Sequence, residues 1–187
     1  MNTSLYWYSR IYLAGLLAVL GCSDSSSPTS NSQSIDFRYA GGLTGHFRAG
    51  GPATAVGDPT RSFAVAFRSA AGETQLCAYQ PGWGGLFGNV FLLNIGVINA
   101  PGNYSVPPPW APNATSYQNG TFLLGVDYSH TYVQQGSRFI QGEVEVQELS
   151  DAHVRGGFAI TTDHTTISEG RFDVLVAGLE ELPIICQ

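Results

Sequence analysis

The chain has 187 residues, a formal charge of −6, 43% hydrophobic residues and only 12% charged ones. That length suits one domain rather than two large ones. All eight basic residues are Arg and they stand singly, so there is no basic patch to neutralise the phosphates of a nucleic acid, and no nucleic-acid partner is expected.

Residues 1–21 read as an export signal rather than as part of the fold. Arg10 precedes an apolar run from Ile11 to Leu20, which is shorter than the roughly 20 apolar residues needed to span a bilayer and suits the apolar centre of a secretory signal. The run ends in Val19-Leu20-Gly21-Cys22, which resembles the lipobox of bacterial lipoproteins. The resemblance implies cleavage before Cys22, lipidation of its thiol, and anchoring of an exported protein to the bacterial cell envelope. Ser23, rather than Asp, follows the Cys. By resemblance to the sorting rule of such lipoproteins this implies the outer membrane. Cleavage also removes Arg10, leaving seven Arg against fourteen Asp and Glu, a charge of −7. Repulsion from anionic lipid suits a domain tethered away from the membrane. Residues 22–34 supply that tether: they are rich in Ser and nearly devoid of apolar side chains, so they cannot offset their own ordering entropy.

Residues 35–187 alternate apolar and polar side chains with period two, the pattern of half-buried strands. Ile35, Phe37 and Tyr39 make the first set. Phe47 follows, and then Phe63, Val65 and Phe67 opposite Ala64 and Ala66. Leu76–Tyr79 is a shorter candidate, and Val90–Ile95, apolar on both faces, reads as a central strand. Phe122, Leu124 and Val126 come next, then Ile140, Gly142, Val144 and Val146 with Gln141, Glu143, Glu145 and Gln147 outward. Val154, Phe158 and Ile160, then Phe172, Val174 and Val176, precede a closing strand at Ile184–Cys186. Turns are expected at Ala40-Gly-Gly-Leu, Gly57-Asp-Pro, Pro101-Gly-Asn and Glu169-Gly170. No helical period persists between them. About ten strands without intervening helices predict an all-β, antiparallel β-sandwich or barrel. In the last third, Gly142-Glu-Val-Glu-Val, Val154-Arg-Gly-Gly-Phe-Ala-Ile and Ile167-Ser-Glu-Gly-Arg-Phe-Asp-Val resemble β-rich domains of uncharacterised bacterial lipoproteins. That resemblance implies β architecture and no substrate.

Of three Cys, Cys22 is the expected lipid acceptor. Cys77 and Cys186 remain, and an exported chain meets an oxidising compartment, so a Cys77–Cys186 disulfide is expected. The alternative is a pair of free buried thiols.

The sequence carries no metal signature, phosphate loop or nucleophile elbow, so no cofactor, metal or catalytic residue is assigned. His164 beside Asp163 reads as a polar turn, and Glu143 with Glu145 as a solvated strand face. The ligand-binding candidates are the loop aromatics Trp83, in Pro81–Asn89, and Trp110 and Tyr117, in Val106–Tyr117. Rings on loops of a β scaffold can stack on a glycan or anchor an envelope protein, or fold back to cap the core. The resulting expectation is a membrane-anchored, non-enzymatic binding or structural module. A small-molecule carrier with a barrel cavity is the alternative. A hydrolase with a spatial Asp/His/Ser group is the third reading, and it would need residues that sequence does not bring together.

Overall fold

The computed structural model describes residues 33–56, 58–82, 87–106, 120–127, 133–178 and 184–186. Period-two alternation becomes ten strands: β1 (Ser34–Gly41), β2 (Gly45–Gly50), β3 (Phe63–Arg68), β4 (Glu73–Pro81), β5 (Phe87–Val97), β6 (Gly102–Val106), β7 (Gly120–Asp127), β8 (Val133–Leu149), β9 (His153–Thr162) and β10 (Thr165–Gly178). The first strand begins at Ser34, a residue counted above with the tether. Short 3₁₀ turns occupy Ala53–Ala55 and Ile184–Cys186.

Seven strands close a barrel in the order β3-β4-β5-β7-β8-β9-β10, with β10 returning to β3. Successive strands in this ring reverse direction. An odd number of alternating strands cannot close without one pair running the same way. That pair is β10 with β3, matched at Val176↔Ala66, Ala177↔Phe67 and Gly178↔Arg68. The expected antiparallel architecture therefore holds with one parallel seam. The other three strands extend the wall: β1 pairs β10, β2 pairs β1, and β6 pairs β8.

Two long strands turn the corners. Residues 133–138 of β8 pair with β7, and from Phe139 onward β8 pairs with β9. Likewise β10 leaves β9 after Leu175 and joins β3. Both strands carry bulges, which bend a strand and sharpen its twist. In β8 the register slips between Phe139 and Gln141 and again between Val146 and Glu148. In β10 it slips between Ile167 and Gly170. Glu169, at that bulge, has φ +53°, a left-handed backbone conformation unusual for a residue with a Cβ. The layer β2-β1-β10-β9-β8-β6 therefore faces the layer β3-β4-β5-β7 across a shared interior.

The bulges account for several departures from the period-two reading. Ile140, expected inward, is 54% exposed, because the slip after Phe139 inverts the alternation and puts Phe139 in the core instead. Glu169-Gly170 is a bulge within β10 rather than a turn between strands. The expected turn at Pro101-Gly-Asn runs directly into β6, which the alternation pattern missed. The expected closing strand at Ile184–Cys186 is a 3₁₀ turn.

The interior is filled with rings. Phe37 of β1 lies 4.8 Å from both Phe47 and Phe91, 5.2 Å from Phe122 and 5.7 Å from Phe158, centroid to centroid. Phe139 and Phe172 extend the same cluster, and Val144, Val146, Ile160 and Val174 complete it. The second layer is apolar on both faces, as read for Val90–Ile95. Its outer face carries Phe63, Val65, Phe67, Cys77, Tyr79, Val90, Leu92 and Leu123, buried together with Ala55, Ile185 and Cys186. The two 3₁₀ turns thus contribute to a second core outside the barrel wall. Cys77 and Cys186 are bridged as expected, with Cα atoms 5.9 Å apart. The side-chain amide of Gln75 donates to the Cys186 carbonyl at 2.8 Å.

The two Gly-x-Phe motifs of the last third have a reciprocal geometry. On β9 and β10, Gly156 pairs with Phe172, and Phe158 pairs with Gly170. Each ring lies over the opposing glycine, and the two rings stack at 6.4 Å. A Cβ at Gly156 would strike the Glu145 carbonyl oxygen and approach Phe172 to 2.7 Å; one at Gly170 would strike the Phe158 ring. The Gly156→Ala variant is accordingly expected to lose about 2–3 kcal/mol, because a strand backbone and a core ring must both shift. Urea unfolding measures this, with Gly157→Ala, which meets only one carbonyl at 3.1 Å, as the milder control.

Candidate functional site

Inward residues of the six-stranded layer build the core, so its outward residues are free to carry charge. Arg48 (β2), Asp36 (β1), Arg171 (β10), Gly157 (β9), Glu145 (β8) and Asn103 (β6) lie in one cross-strand row. The next row carries Asp173, Arg155 and Glu148. Gly157 has no side chain, so β9 lies at the floor of a groove of about 620 Å³ between ridges from β8 and β10. A shoulder of about 280 Å³ continues over β1, lined by Arg38, Arg48, Arg171, Asp36 and Glu169. Four of the seven Arg beyond residue 32 thus line one sheet face of an acidic chain.

Part of this charge is paired within the protein. Asp36 Oδ1 lies 3.0 Å from His46 Nε2, and its Oδ2 lies 3.7 Å from Arg48 Nε. Arg155 donates to Glu148 at 3.2 Å. His153 stands between two carboxylates, with Nε2 2.6 Å from Asp173 and Nδ1 3.7 Å from Glu148. These are surface pairs, each worth up to about 1 kcal/mol. Among the described residues, Arg38, Arg171, Glu143, Glu145 and Glu169 make no ion pair within 4.0 Å.

The reactive arrangements sought in the sequence take other forms. The Ser150 hydroxyl donates to the His153 backbone carbonyl at 3.3 Å, not to its ring. Both nitrogens of that ring face carboxylates. Asp163, between β9 and β10, accepts the backbone amide of Arg138 on β8 at 2.9 Å. Among the described residues no group of three His, Cys, Asp or Glu is placed to hold a metal ion. Two groups away from the groove are perturbed. Burial pushes the Tyr39 phenol up, and hydrogen bonds from the Thr60 hydroxyl and amide hold the Asp58 carboxyl below its ordinary range.

Of the residues singled out from sequence, Cys77 and Cys186 come together as expected. Cys22, Trp83, Trp110 and Tyr117 lie outside the described residues. The Glu143 and Glu145 face is exposed, in keeping with a solvated strand. Its place beside a glycine floor and opposite Arg171 was not foreseen, because three bulges in β8 and β10 set that register. No family model, curated protein or solved structure matches this chain.

Proposed function

We propose that the protein is an exported, lipid-anchored envelope protein, held through Cys22, whose β domain is a non-enzymatic binding module presenting the charged outer face of the six-stranded layer. The observation that carries this reading is the separation of roles within the fold. Phenyl rings fill the barrel interior, and the polar groove lies outside it. A carrier would need interior space, and Phe37, Phe91, Phe122 and Phe158 occupy that space ring against ring. Export is supported by the fully buried Cys77–Cys186 bridge, a bond that persists in oxidising compartments. Anchoring is supported by the Leu-Gly-Cys sequence and the Ser-rich segment that follows it.

The test is fractionation. The wild-type chain is expected in the membrane pellet with incorporated fatty acid, and Cys22→Ser in the soluble fraction without it. A Cys22→Ser chain that still pellets with membranes after high-salt washing would contradict the anchor.

A further inference from the structure

The bridged turn lies outside the barrel's own pairing. The seven-strand ring closes through β3 and β10 and is complete at Gly178, so none of its ladders uses Ile184–Cys186. The turn docks on the outer face of β4. There Gln75 donates to the Cys186 carbonyl at 2.8 Å, and Cys77, the next residue on that face, carries the bridge. The two sulfurs are therefore held differently. Cys77 stands mid-sheet, paired with Val65 of β3 and Leu92 of β5. Cys186 stands on a single short turn and follows all ten strands in the chain. Both residues are fully buried, so an oxidant reaches neither sulfur while the turn is docked. Local opening of the turn brings Cys186 into solvent. It leaves Cys77 on an apolar floor shared with Phe63, Val65 and Leu92.

We propose that the bridge is made on a barrel that is already folded, by exchange with the disulfide of an oxidising protein, and that Cys186 reacts first and Cys77 second. The Cys186 thiolate attacks one sulfur of the oxidant's disulfide, forms a mixed disulfide and releases the oxidant's other sulfur as a thiolate. The turn then docks, which brings Cys186 to Cys77. The Cys77 thiolate attacks the Cys186 sulfur, the Cys77–Cys186 bond forms, and the oxidant's remaining sulfur leaves as a thiolate. The chain loses two electrons and two protons, and the oxidant's disulfide becomes two thiols. Access sets the order, because a protein-sized oxidant meets Cys186 on a lifted turn but meets Cys77 only across the face of the sheet. The order is independent of the charged groove and of Cys22.

The experiment reduces the protein with dithiothreitol in native buffer and non-ionic detergent, removes the reductant, and adds glutathione disulfide as the oxidant. Circular dichroism is expected to show the strand signal and a cooperative melt in the reduced protein. In Cys77→Ala, glutathione is expected to add at Cys186 without denaturant. In Cys186→Ala, addition at Cys77 is expected to be at least about tenfold slower and to catch up only in denaturant. Wild-type protein quenched with an alkylating reagent during reoxidation is expected to carry its mixed disulfide at Cys186. Peptide mass mapping locates each adduct, so the state of Cys22 does not enter. Loss of the strand signal on reduction would overturn oxidation on a folded barrel. Addition at Cys77 as fast as at Cys186 in native buffer, or a trapped wild-type adduct at Cys77, would overturn the order.

Discussion

Replacing Cys77 and Cys186 together by Ala is expected to lower the melting temperature by roughly 10–20 °C. The bridge spans 109 residues, and a cross-link of that span restricts the unfolded chain by about 4–5 kcal/mol. For a chain of this size each kcal/mol shifts the midpoint by about 2–4 °C. A second effect acts in the same direction. The bridge holds the Ile184–Cys186 turn in the outer core, where Ile185 and Cys186 are buried with Phe63, Val65, Phe67 and Tyr79. Without it, those rings and methyls are exposed whenever the turn lifts. Replacing both cysteines avoids leaving a lone thiol. Scanning calorimetry reads the shift, and a dye that reports apolar surface should bind the variant before the main transition. A drop of less than about 3 °C would mean that the C-terminal turn is held by packing alone.

The Phe37→Ala variant is expected to lose about 3–5 kcal/mol, the usual cost of removing a fully buried ring. Phe37 touches the rings of Phe47, Phe91, Phe122 and Phe158, and also lies against Tyr39, so it joins both layers at the barrel centre. Its neighbours belong to four other strands and cannot all close in on the gap. The vacated space is apolar, and such a cavity stays dry and accepts a benzene-sized guest. The variant should therefore regain part of its stability with added benzene, whereas the wild type should gain none. Chemical unfolding with and without benzene measures both. Equal benzene stabilisation of the wild type would show that the interior already has room, and would favour a carrier.

The sequence conveys the secondary structure class more fully than the register. Val90–Ile95, apolar on both faces, foretells a central strand, and its side chains are buried on both sides. Phe63, Val65 and Phe67 foretell one apolar face, and the structure buries the small Ala64 and Ala66 opposite them as well. The even number of remaining cysteines foretells the bridge. What period-two alternation cannot convey is the place where it breaks. Phe139 and Ile140 are both plausible core residues, and only the pairing of β8 with β9 decides between them. The bulge at Glu169 is equally local in sequence, yet it turns Gly170 and Phe172 toward the core and Arg171 toward the groove. The groove itself depends on three such slips and on the absence of a side chain at Gly157, so its residues look like ordinary strand charges until the strands are side by side. The parallel seam between β3 and β10 has no sequence signal of its own, because it follows from the count of strands in the ring.

The central claim is a disulfide-bridged β barrel with a filled interior and its binding chemistry on the outside. Native mass spectrometry of the protein expressed from the full sequence, purified from an oxidising compartment in non-ionic detergent, tests it most directly. The expected spectrum shows residues 22–187 two hydrogens short of their reduced polypeptide mass, with lipid at Cys22 as the only covalent addition and no apolar guest retained. A mass with all thiols reduced, or a tightly held apolar guest that co-purifies with the barrel, would contradict it.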